Sequence, residues 1–374
     1  MKKHIKVVKE NTLAGKRTLI VAFDKKNYGE TKDSVKEIEF LSKTLKLNTV
    51  KTIILKEGTI YPSTYIGKGK LFEIKKLIDE NKISMIVFEK ELSPIQQRNI
   101  ENILNVSVID RTLLILYIFA DHAKTKEGKI QVELAQLSYI LPRLTGHGID
   151  LSRPGGGLGT RGPGEMKLEV YRRRIKERIS KLKKQIKEIE KHRNLLRNSK
   201  KRKKYLSVSL VGYTNVGKST LLNKLSSSNL YVANKLFSTL DPATRLVYIG
   251  DNKYCLVSDT VGLLYNIPHH LIEAFKSTLE EIKYADLLLC IYDVSINIEK
   301  QKNTVYQVLK LLKVDEKPRI EVFNKIDLLE KEELNLMMMQ NPENVFISSL
   351  TKDGFDVLKE RMLEVLYGVR VEQK

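Results

Sequence analysis

Short apolar runs alternate with segments of helical periodicity through the first third of the chain. Four of the runs have the length and the β-branched content of buried strands. They are residues 18–23, 49–55, 83–89 and 106–110. Between them, apolar residues recur three and four positions apart, as they do on one face of a helix. This βαβα order predicts an N-terminal α/β domain over residues 1–125, in which helices cover a small parallel sheet.

A different pattern, with longer helical repeats, follows in residues 126–205. The apolar side chains of the first repeat are Ile130, Leu134, Leu137 and Leu141. The second repeat keeps heptad spacing from Leu168 to Leu196, over about four heptads, and half of the other positions in this range are Lys or Arg. Two helices with complementary apolar seams predict a long antiparallel hairpin, whose second helix is roughly 50 Å long at about 1.5 Å per residue.

A glycine-rich stretch, PGGGLGTRGPGE, separates the two repeats. Gly157, Gly159 and Gly162 within it have the G-x-G-x-x-G spacing of a dinucleotide-binding turn. That turn follows a strand, whereas the preceding residues here are helical in pattern and end with Pro142 interrupting the approach. We therefore interpret residues 152–166 as the tip loop of the hairpin and not as a nucleotide site.

Glycine and arginine give this tip loop a chemistry suited to RNA. Glycines permit close approach of the backbone to another surface, while Arg153 and Arg161 can meet phosphates or stack on bases. The second helix starts its basic face with Arg172, Arg173 and Arg174. We predict that these arginines and the loop glycines contact RNA; a plain solvated helix face is the alternative.

The region 206–374 opens with the strand, loop and helix of a phosphate-binding domain. Its loop matches G-x-x-x-x-G-K-S and consists of Gly212, Tyr213, Thr214, Asn215, Val216, Gly217, Lys218 and Ser219. Backbone N–H groups of such a loop surround phosphates. Lys218 can reach the β- and γ-phosphates as a catalytic group, and the Ser219 hydroxyl can bind Mg²⁺. We predict a P-loop here and a GTPase domain with a mostly parallel sheet.

A second polar segment follows the apolar strand that begins at Cys255. It reads D-T-V-G and consists of Asp259, Thr260, Val261 and Gly262. Asp259 can hold Mg²⁺ through a water molecule, and the Gly262 N–H can meet the γ-phosphate during catalysis. Many GTPases place a glutamine next to orient the attacking water, but this chain has Leu263. We therefore predict slow intrinsic hydrolysis, with the polar group supplied by another residue or by a partner.

Two further segments fit the recognition of guanine. The first is N-K-I-D, consisting of Asn324, Lys325, Ile326 and Asp327. A carboxylate at 327 can accept both N–H groups of the Watson–Crick edge of guanine, a donor pair that adenine lacks, and the lysine can lie along the base. The second segment, Ser348 to Leu350 with Ser349 between them, follows a strand and can lie behind the guanine O6.

A switch segment is expected between the P-loop and the D-T-V-G segment. Its predicted nucleotide contacts are Phe237, Ser238, Thr239, Leu240 and Asp241. We predict Thr239 as the second Mg²⁺ ligand and as a catalytic group, with Thr244 as the competing choice.

Charge is distributed unevenly along the chain. The 66 Lys and Arg residues outnumber the 45 Asp and Glu residues, which gives a formal net charge of +21. Residues 167–204 hold 18 basic and 4 acidic side chains, whereas residues 205–374 hold 20 basic and 22 acidic ones. The excess therefore lies outside the GTPase domain and suggests a nucleic-acid partner or an anionic membrane surface. The membrane is the weaker alternative, because the apolar seam of the second helix is better suited to packing on the first helix. We expect a cytoplasmic monomer with no transmembrane segment and at most peripheral membrane contact.

Taken together, these motifs resemble those of the HflX family of GTPases, within the Obg–HflX group. The stretches that carry the resemblance include QVELAQLSYILPRL, GGGLGTRGPGE, GYTNVGKST, FSTLDPATR, DTVG and NKID. The resemblance implies binding to the large ribosomal subunit, with rRNA contacts near the peptidyl-transferase centre, and GTPase stimulation by the ribosome. It also implies dissociation of stalled or idle 70S ribosomes under stress, with GTP or GDP and Mg²⁺ in the site.

Two other functions stay open from the residues alone. The basic arm can serve a ribosome-assembly or RNA-remodelling factor, or a nucleotide-gated module that silences the large subunit. ATP use by the N-terminal domain is a further alternative, although the sequence contains no second P-loop motif.

Overall fold

The computed structural model describes residues 13–24, 28–144, 163–202, 205–226, 243–263 and 276–368. The chain divides into two compact units, which are Met1–Asp121 with Lys129–Ile186 and His122–Gly128 with Lys187–Lys374. The division into three domains with boundaries after residues 125 and 205 stays a prediction.

The first unit contains a parallel sheet that follows the predicted alternation. In chain order its described elements are β1 (Arg17–Asp24), α1 (Tyr28–Thr44), β2 (Asn48–Lys56), α2 (Lys68–Asn81), β3 (Met85–Phe88), α3 (Pro94–Leu104) and β4 (Ser107–Asp110). These strands are hydrogen-bonded in the order β2-β1-β3-β4, and each pair is parallel. A helix connects each strand to the next, as parallel strands require. The predicted βαβα architecture is confirmed.

The core of this sheet comes from the predicted apolar runs. Strands β1 and β3 are buried on both faces, as central strands of a parallel sheet are, whereas the edge strand β2 is only partly buried. Helix α3 shows how local sequence sets an element boundary. Ser93 accepts the N–H of Gln96 at 3.2 Å, and the Gln96 side chain accepts the N–H of Ser93 at 2.9 Å. This capping box starts the helix, and Asn105 in a left-handed conformation ends it.

Two helices follow the first sheet, and the helical period indicated only the second. Helix α4 (Arg111–His122) is buried along most of its length, so its apolar residues form a continuous run without a one-sided pattern. Helix α5 (Lys126–Arg143) carries Pro142 in its last turn and ends one residue later. The proline therefore marks the end of the helix, as a residue that cannot continue the backbone hydrogen bonds does.

Helix α6 (Pro163–Arg202) is 40 residues long, which corresponds to about 60 Å. It begins at Pro163, within the stretch 152–166 that we predict as the tip loop. Proline suits the first helical turn because its φ is already helical and its missing N–H has no partner there. The remaining loop residues, among them Arg153, Gly157, Gly159, Arg161 and Gly162, lie outside the described residues.

The predicted apolar seam of α6 is confirmed where the structure describes it. Ile175 and Leu182 are buried, and the Lys and Arg residues around them are mostly exposed. Arg178 on the same helix donates two hydrogen bonds of 2.7 Å to the two carboxylate oxygens of Glu133 on α5. This bidentate pair joins the two helices. The antiparallel connection between them stays a prediction, because its loop is not described.

The second unit contains a six-stranded sheet. Its described elements are β5 (Leu206–Gly212), α7 (Lys218–Ser226), β6 (Ala243–Gly250), β7 (Lys253–Asp259), α8 (Lys276–Tyr284), β8 (Leu287–Asp293), α9 (Ile298–Leu311), β9 (Arg319–Asn324), a 3₁₀ turn (Ile326–Leu328), α10 (Lys331–Gln340), β10 (Val345–Ile347) and α11 (Phe355–Tyr367). The strand order is β10-β9-β8-β5-β7-β6. Only the β6–β7 pair is antiparallel among the described strands, so the predicted mostly parallel sheet is confirmed.

Parallel pairing brings the predicted polar segments of this unit to one edge of the sheet. The P-loop follows β5, the D-T-V-G segment begins at the end of β7, N-K-I-D begins at the end of β9, and Ser348 follows β10. Ligands of open parallel sheets bind at the carboxyl ends of the strands. In the described parts of the chain, no helix is long and apolar enough to cross a membrane.

Candidate functional site

The loop after β5 is held in a tight path by two glycines. A Cβ atom on Gly212 would lie 2.4 Å from the carbonyl oxygen of Ile291 on the neighbouring strand β8. Gly217 has a φ of +97°, and a Cβ atom there would lie 2.4 Å from Nδ2 of Asn324. Any side chain at either position would therefore displace backbone or a buried amide. The glycine spacing of the motif reflects close packing against β8 and β9.

Lys218 is buried at the start of α7 and folds back on the loop. Its Nζ atom donates to the carbonyl oxygens of Gly212, at 3.0 Å, and Tyr213, at 2.7 Å. Burial lowers the pKa of Lys218 to about 8, and the nearby Asp259 carboxylate acts in the opposite direction. Burial disfavours the ammonium form of Lys218. A polyphosphate beside the loop would stabilise the ammonium form by charge attraction.

The hydroxyl of Ser219 and the carboxylate of Asp259 meet beside this loop. Ser219 Oγ donates to Asp259 Oδ2 at 2.5 Å, and Asp259 is fully buried. Hydroxyl and carboxylate oxygens are ligands that Mg²⁺ accepts, together with water and phosphate oxygens. Within the described ranges, no cluster of three or more His, Cys, Asp or Glu residues can hold a metal alone. The donor set therefore fits a magnesium ion that is shared with phosphates.

The D-T-V-G segment is fastened to the P-loop by backbone hydrogen bonds. The N–H of Thr214 donates to the Leu263 carbonyl at 2.9 Å, and the N–H of Leu263 donates to the Gly212 carbonyl at 3.0 Å. A Cβ atom on Gly262 would lie 2.6 Å from Cγ2 of Thr214. Thr260 is held at the preceding turn by a 2.6 Å bond from its hydroxyl to the Leu210 carbonyl.

Leu263 is only 1% exposed, so its side chain is packed and faces no water. Val261 is buried as well. The side chain at position 263 therefore offers no polar group to a water molecule beside the P-loop.

Asn324 links three loops of the site. Its Nδ2 donates to the Val216 carbonyl of the P-loop at 2.7 Å, and its Oδ1 accepts the N–H of Ser349 at 2.9 Å. Asn324 is fully buried. One amide side chain thus fixes the P-loop against both the N-K-I-D segment and the loop after β10.

The remaining residues of the N-K-I-D segment point to different partners. Lys325 Nζ donates to Asp293 Oδ2 at 2.5 Å. Ile326 starts the 3₁₀ turn, in which Asp327 is exposed and accepts a 2.5 Å hydrogen bond from the Ser348 hydroxyl. The same Ser348 oxygen accepts the N–H of Leu350 at 3.2 Å. These contacts hold a carboxylate at the surface beside the P-loop, which is the chemistry that guanine requires.

Sequence reasoning missed Asp293 and Gln301, which support this loop. Asp293 ends β8 in register with Asn324 on β9. Gln301 on α9 accepts the N–H of Asp293 and donates to its carbonyl, both at 2.9 Å. The available signal was the carboxylate at the end of the apolar run LLLCIYD. A carboxylate there lies at the same sheet edge as the recognised motifs.

Several predicted residues lie elsewhere or outside the described ranges. The switch residues Phe237–Asp241, including Thr239, are not among the described residues. Thr244 lies on β6 opposite Ser258, and their hydroxyl oxygens are 2.9 Å apart. Side chains alternate along a strand, so Thr244 shares the face of Ser258 and not that of Asp259. This geometry disfavours Thr244 as the magnesium ligand.

Comparison with known proteins gives matches along most of the chain. Three family models match it in order, described as GTP-binding GTPase N-terminal over residues 32–120, GTP-binding GTPase middle region over residues 122–200 and 50S ribosome-binding GTPase over residues 207–325. The crystal structure of SsGBP in complex with GDP is similar, with a TM-score of 0.51 and 26% identity, and the match covers 95% of this chain and 100% of that one.

Relatives of higher identity carry one name. The GTPase HflX of Caldanaerobacter subterraneus subsp. tengcongensis is 46% identical over 339 residues, which are 90% of this chain and 78% of the relative. The GTPase HflX of Lacrimispora saccharolytica is 44% identical over 356 residues, which are 95% of this chain and 84% of the relative. With a parallel-sheet domain whose P-loop carries a buried lysine and a hydroxyl–carboxylate pair, this chain belongs to the HflX family of P-loop GTPases.

Proposed function

We propose that the carboxyl edge of the second sheet binds GTP and GDP with Mg²⁺. The observation that carries the proposal is the convergence of a buried lysine, a hydroxyl–carboxylate pair and an exposed carboxylate on loops that Asn324 fastens together. Lys218 and the N–H groups of the P-loop would hold the phosphates. Asp327 would accept the two N–H groups of guanine, with Lys325 along the base and Ser348 to Leu350 behind it.

Magnesium would be held by Ser219 directly and by Asp259 through water, with Thr239 predicted as a further ligand. When bound, the ion would offset the negative charge of the phosphates. Chelation by EDTA is expected to accelerate release of a fluorescent GDP analogue in stopped-flow measurements. A release rate that EDTA leaves unchanged would contradict this metal site.

We infer that hydrolysis needs help from a partner. The side chain of Leu263 is buried, and its backbone is bonded to the P-loop. Position 263 therefore supplies no polar group to the water in this conformation. Single-turnover GTP hydrolysis, measured alone and with 70S ribosomes or large subunits, tests the idea. We expect slow hydrolysis alone and a large stimulation by ribosomal particles; a fast basal rate that no particle changes would contradict it.

We further propose that the chain binds the large ribosomal subunit and dissociates idle or stalled ribosomes. The support is the basic surface of α6 together with the family description of residues 207–325. Lys and Arg side chains along a long helix suit phosphates of rRNA, and the arginines at 172–174 and in the tip loop would contribute contacts.

Sucrose-gradient sedimentation of 70S ribosomes with the protein tests the dissociation. GTP or a non-hydrolysable analogue should convert 70S particles into subunits, whereas GDP should not. Binding to large subunits without loss of 70S particles would favour a silencing module instead. Accumulation of precursor subunits after depletion of the protein, with no effect on mature ribosomes, would favour an assembly factor.

A further inference from the structure

Lys325 leaves the main chain in a conformation that sets the direction of its side chain. Its φ of 69° lies in the left-handed region, and it precedes the 3₁₀ turn that carries Asp327. The ammonium group ends on Asp293 Oδ2, 2.5 Å away, where the Lys325 side chain is 27% exposed and that of Asp293 is 6% exposed. The lysine is therefore held at both ends, by its backbone directly after β9 and by a carboxylate at the end of the neighbouring strand β8.

The Asp293 carboxylate is itself held from several sides. Its Oδ1 accepts the N–H of Ser295 at 2.9 Å and the Ser295 hydroxyl at 2.6 Å. Gln301 brackets the backbone of Asp293 with two hydrogen bonds of 2.9 Å. Rotation of the carboxylate away from Lys325 would break the two contacts from Ser295. Asp293 thus presents one fixed oxygen, Oδ2, to the ammonium group.

We propose that Asp293 is a positioning residue for guanine-nucleotide binding, acting through Lys325. The inference rests on the proposed function, which places the lysine stem along the base. An unrestrained lysine samples many rotamers, and ordering it during binding would reduce affinity. A lysine already fixed by Asp293 offers the base a preformed hydrocarbon surface. Asp293 itself lies behind the lysine and acts without a contact to the nucleotide.

A purely local role for Asp293 would leave a different trace. If the carboxylate served only to hold the turn at Ser295, loss of the Ser295 hydroxyl would weaken nucleotide binding as much as loss of the Asp293 charge. Ser295→Ala is therefore a matched control, because it removes a contact to Oδ1 and leaves Oδ2 and Lys325 in place. Glu321→Gln is a second control, because it breaks another ion pair of this sheet, Lys302–Glu321 at 2.6 Å.

The test is a double-mutant cycle on nucleotide release. Equilibrium affinity and dissociation rate of a fluorescent GDP analogue are measured for Asp293→Asn, Lys325→Ala and the double variant in the full-length chain, with thermal melting to confirm folding. Asp293→Asn is expected to weaken binding about tenfold, mainly through faster release. Ser295→Ala keeps the Ser295 N–H bond to Oδ1 and is expected to weaken binding less than Asp293→Asn does, and Glu321→Gln is expected to change it less than about twofold.

The decisive comparison is the effect of Asp293→Asn in the Lys325→Ala background. No further loss there supports the proposal, since a residue that acts through the lysine has nothing left to position. An equal loss in both backgrounds overturns it, as does a Ser295→Ala effect as large as that of Asp293→Asn. If Lys325→Ala alone leaves affinity unchanged, the proposed base site itself fails and the inference fails with it.

Discussion

The two parallel sheets of this chain differ in what joins their strands at the carboxyl edge. In the first sheet, Glu89 follows β3 and reaches across to β1, where its Oε2 accepts the N–H of Phe23 at 2.9 Å. The Ser34 hydroxyl donates to the other carboxylate oxygen. In the second sheet, β5 and β8 approach so closely at Gly212 and Ile291 that no side chain fits between them. At the first junction a carboxylate side chain lies across the two strands, whereas at the second junction the two backbones are in close contact.

A parallel sheet with a topological switch offers an edge for a ligand, and the residues at that edge decide which ligand it suits. The first sheet has its switch between β1 and β3, where such sheets commonly bind ligands. Its edge carries Asp24, Glu89 and Asp110, and the latter two are buried and hydrogen-bonded within the unit. The second edge also carries buried carboxylates, Asp259 and Asp293, so carboxylates alone do not distinguish the two edges. The difference is that Lys218 and the N–H groups of the P-loop favour a polyanion at the second edge.

The largest effect is expected from a side chain placed in the P-loop that follows this junction. Gly217→Ala would force a non-glycine residue into a φ of +97° and against Asn324. Strain and overpacking of about 3 kcal/mol are expected to displace the loop from this conformation, and restoring it for binding would reduce GTP affinity by up to about a hundredfold. Gly69→Ala on α2 is the control, since a Cβ atom there meets nothing within 4 Å. Fluorescent-nucleotide titration measures both; normal binding by Gly217→Ala would remove the steric argument.

The polarity of the base-binding edge is tested by Asp327→Asn. The amide would offer a donor where guanine needs an acceptor, so GTP binding is expected to weaken about thirtyfold. Xanthine carries an oxygen in place of the guanine amino group, so the same variant should bind xanthosine triphosphate better than the unmodified chain does. Competition titrations with both nucleotides measure the exchange of preference. An unchanged preference would place the base elsewhere.

The first unit also carries a basic surface away from its sheet edge, on helix α6. We expect this basic face of α6 to bind a polyanion. Replacing Arg172, Arg173 and Arg174 by Gln should weaken binding to large subunits about tenfold and reduce the salt dependence of binding by up to about three units of log–log slope. Nucleotide affinity should stay unchanged. Gln at Lys310, Lys313 and Lys331 removes equal charge from the second unit and should have little effect.

The smallest expected effect concerns the carboxylate that closes the first junction. Glu89→Gln keeps the shape of the side chain but exchanges charged hydrogen bonds to Phe23 and Ser34 for neutral ones. Unfolding of the first unit is expected to become easier by about 1 kcal/mol, with GTP affinity unaffected. Urea unfolding and nucleotide titration report the two quantities. A variant that gained nucleotide affinity would show that the carboxylate masks a second site.

The elements and motifs of both units could be predicted from sequence wherever the pattern was local. The strands of the first sheet alternate with helices of clear period, and the P-loop lies between a strand and a helix, so spacing was sufficient. Helix α4 was not predicted, because burial on nearly all sides removes the apolar periodicity that indicates a helix. The start of α6 at Pro163 was not predicted, because a proline is equally compatible with a loop and with a first helical turn.

The support of the site was less predictable than its motifs. Asp293 and Gln301 are far from Lys325 in sequence and belong to no motif, and only the pairing of β8 with β9 brings them beside it. The packing of Leu263 could not be predicted either. The sequence shows that a leucine side chain cannot hydrogen-bond water, but its burial depends on the backbone pairing with the P-loop. The switch and tip-loop assignments stay predictions.

Asn324 has a consequence for the kinetics of the nucleotide cycle. Its side chain is bonded on one side to the carbonyl of Val216 and on the other to the N–H of Ser349. A nucleotide that is bound through its phosphates at one end and its base at the other dissociates only when both sets of contacts are lost. Because the Asn324 amide connects the P-loop to the loop after β10, a displacement of the latter loop is expected to shift the P-loop as well. A partner that binds the loop after β10 would then accelerate nucleotide exchange without contacting the nucleotide.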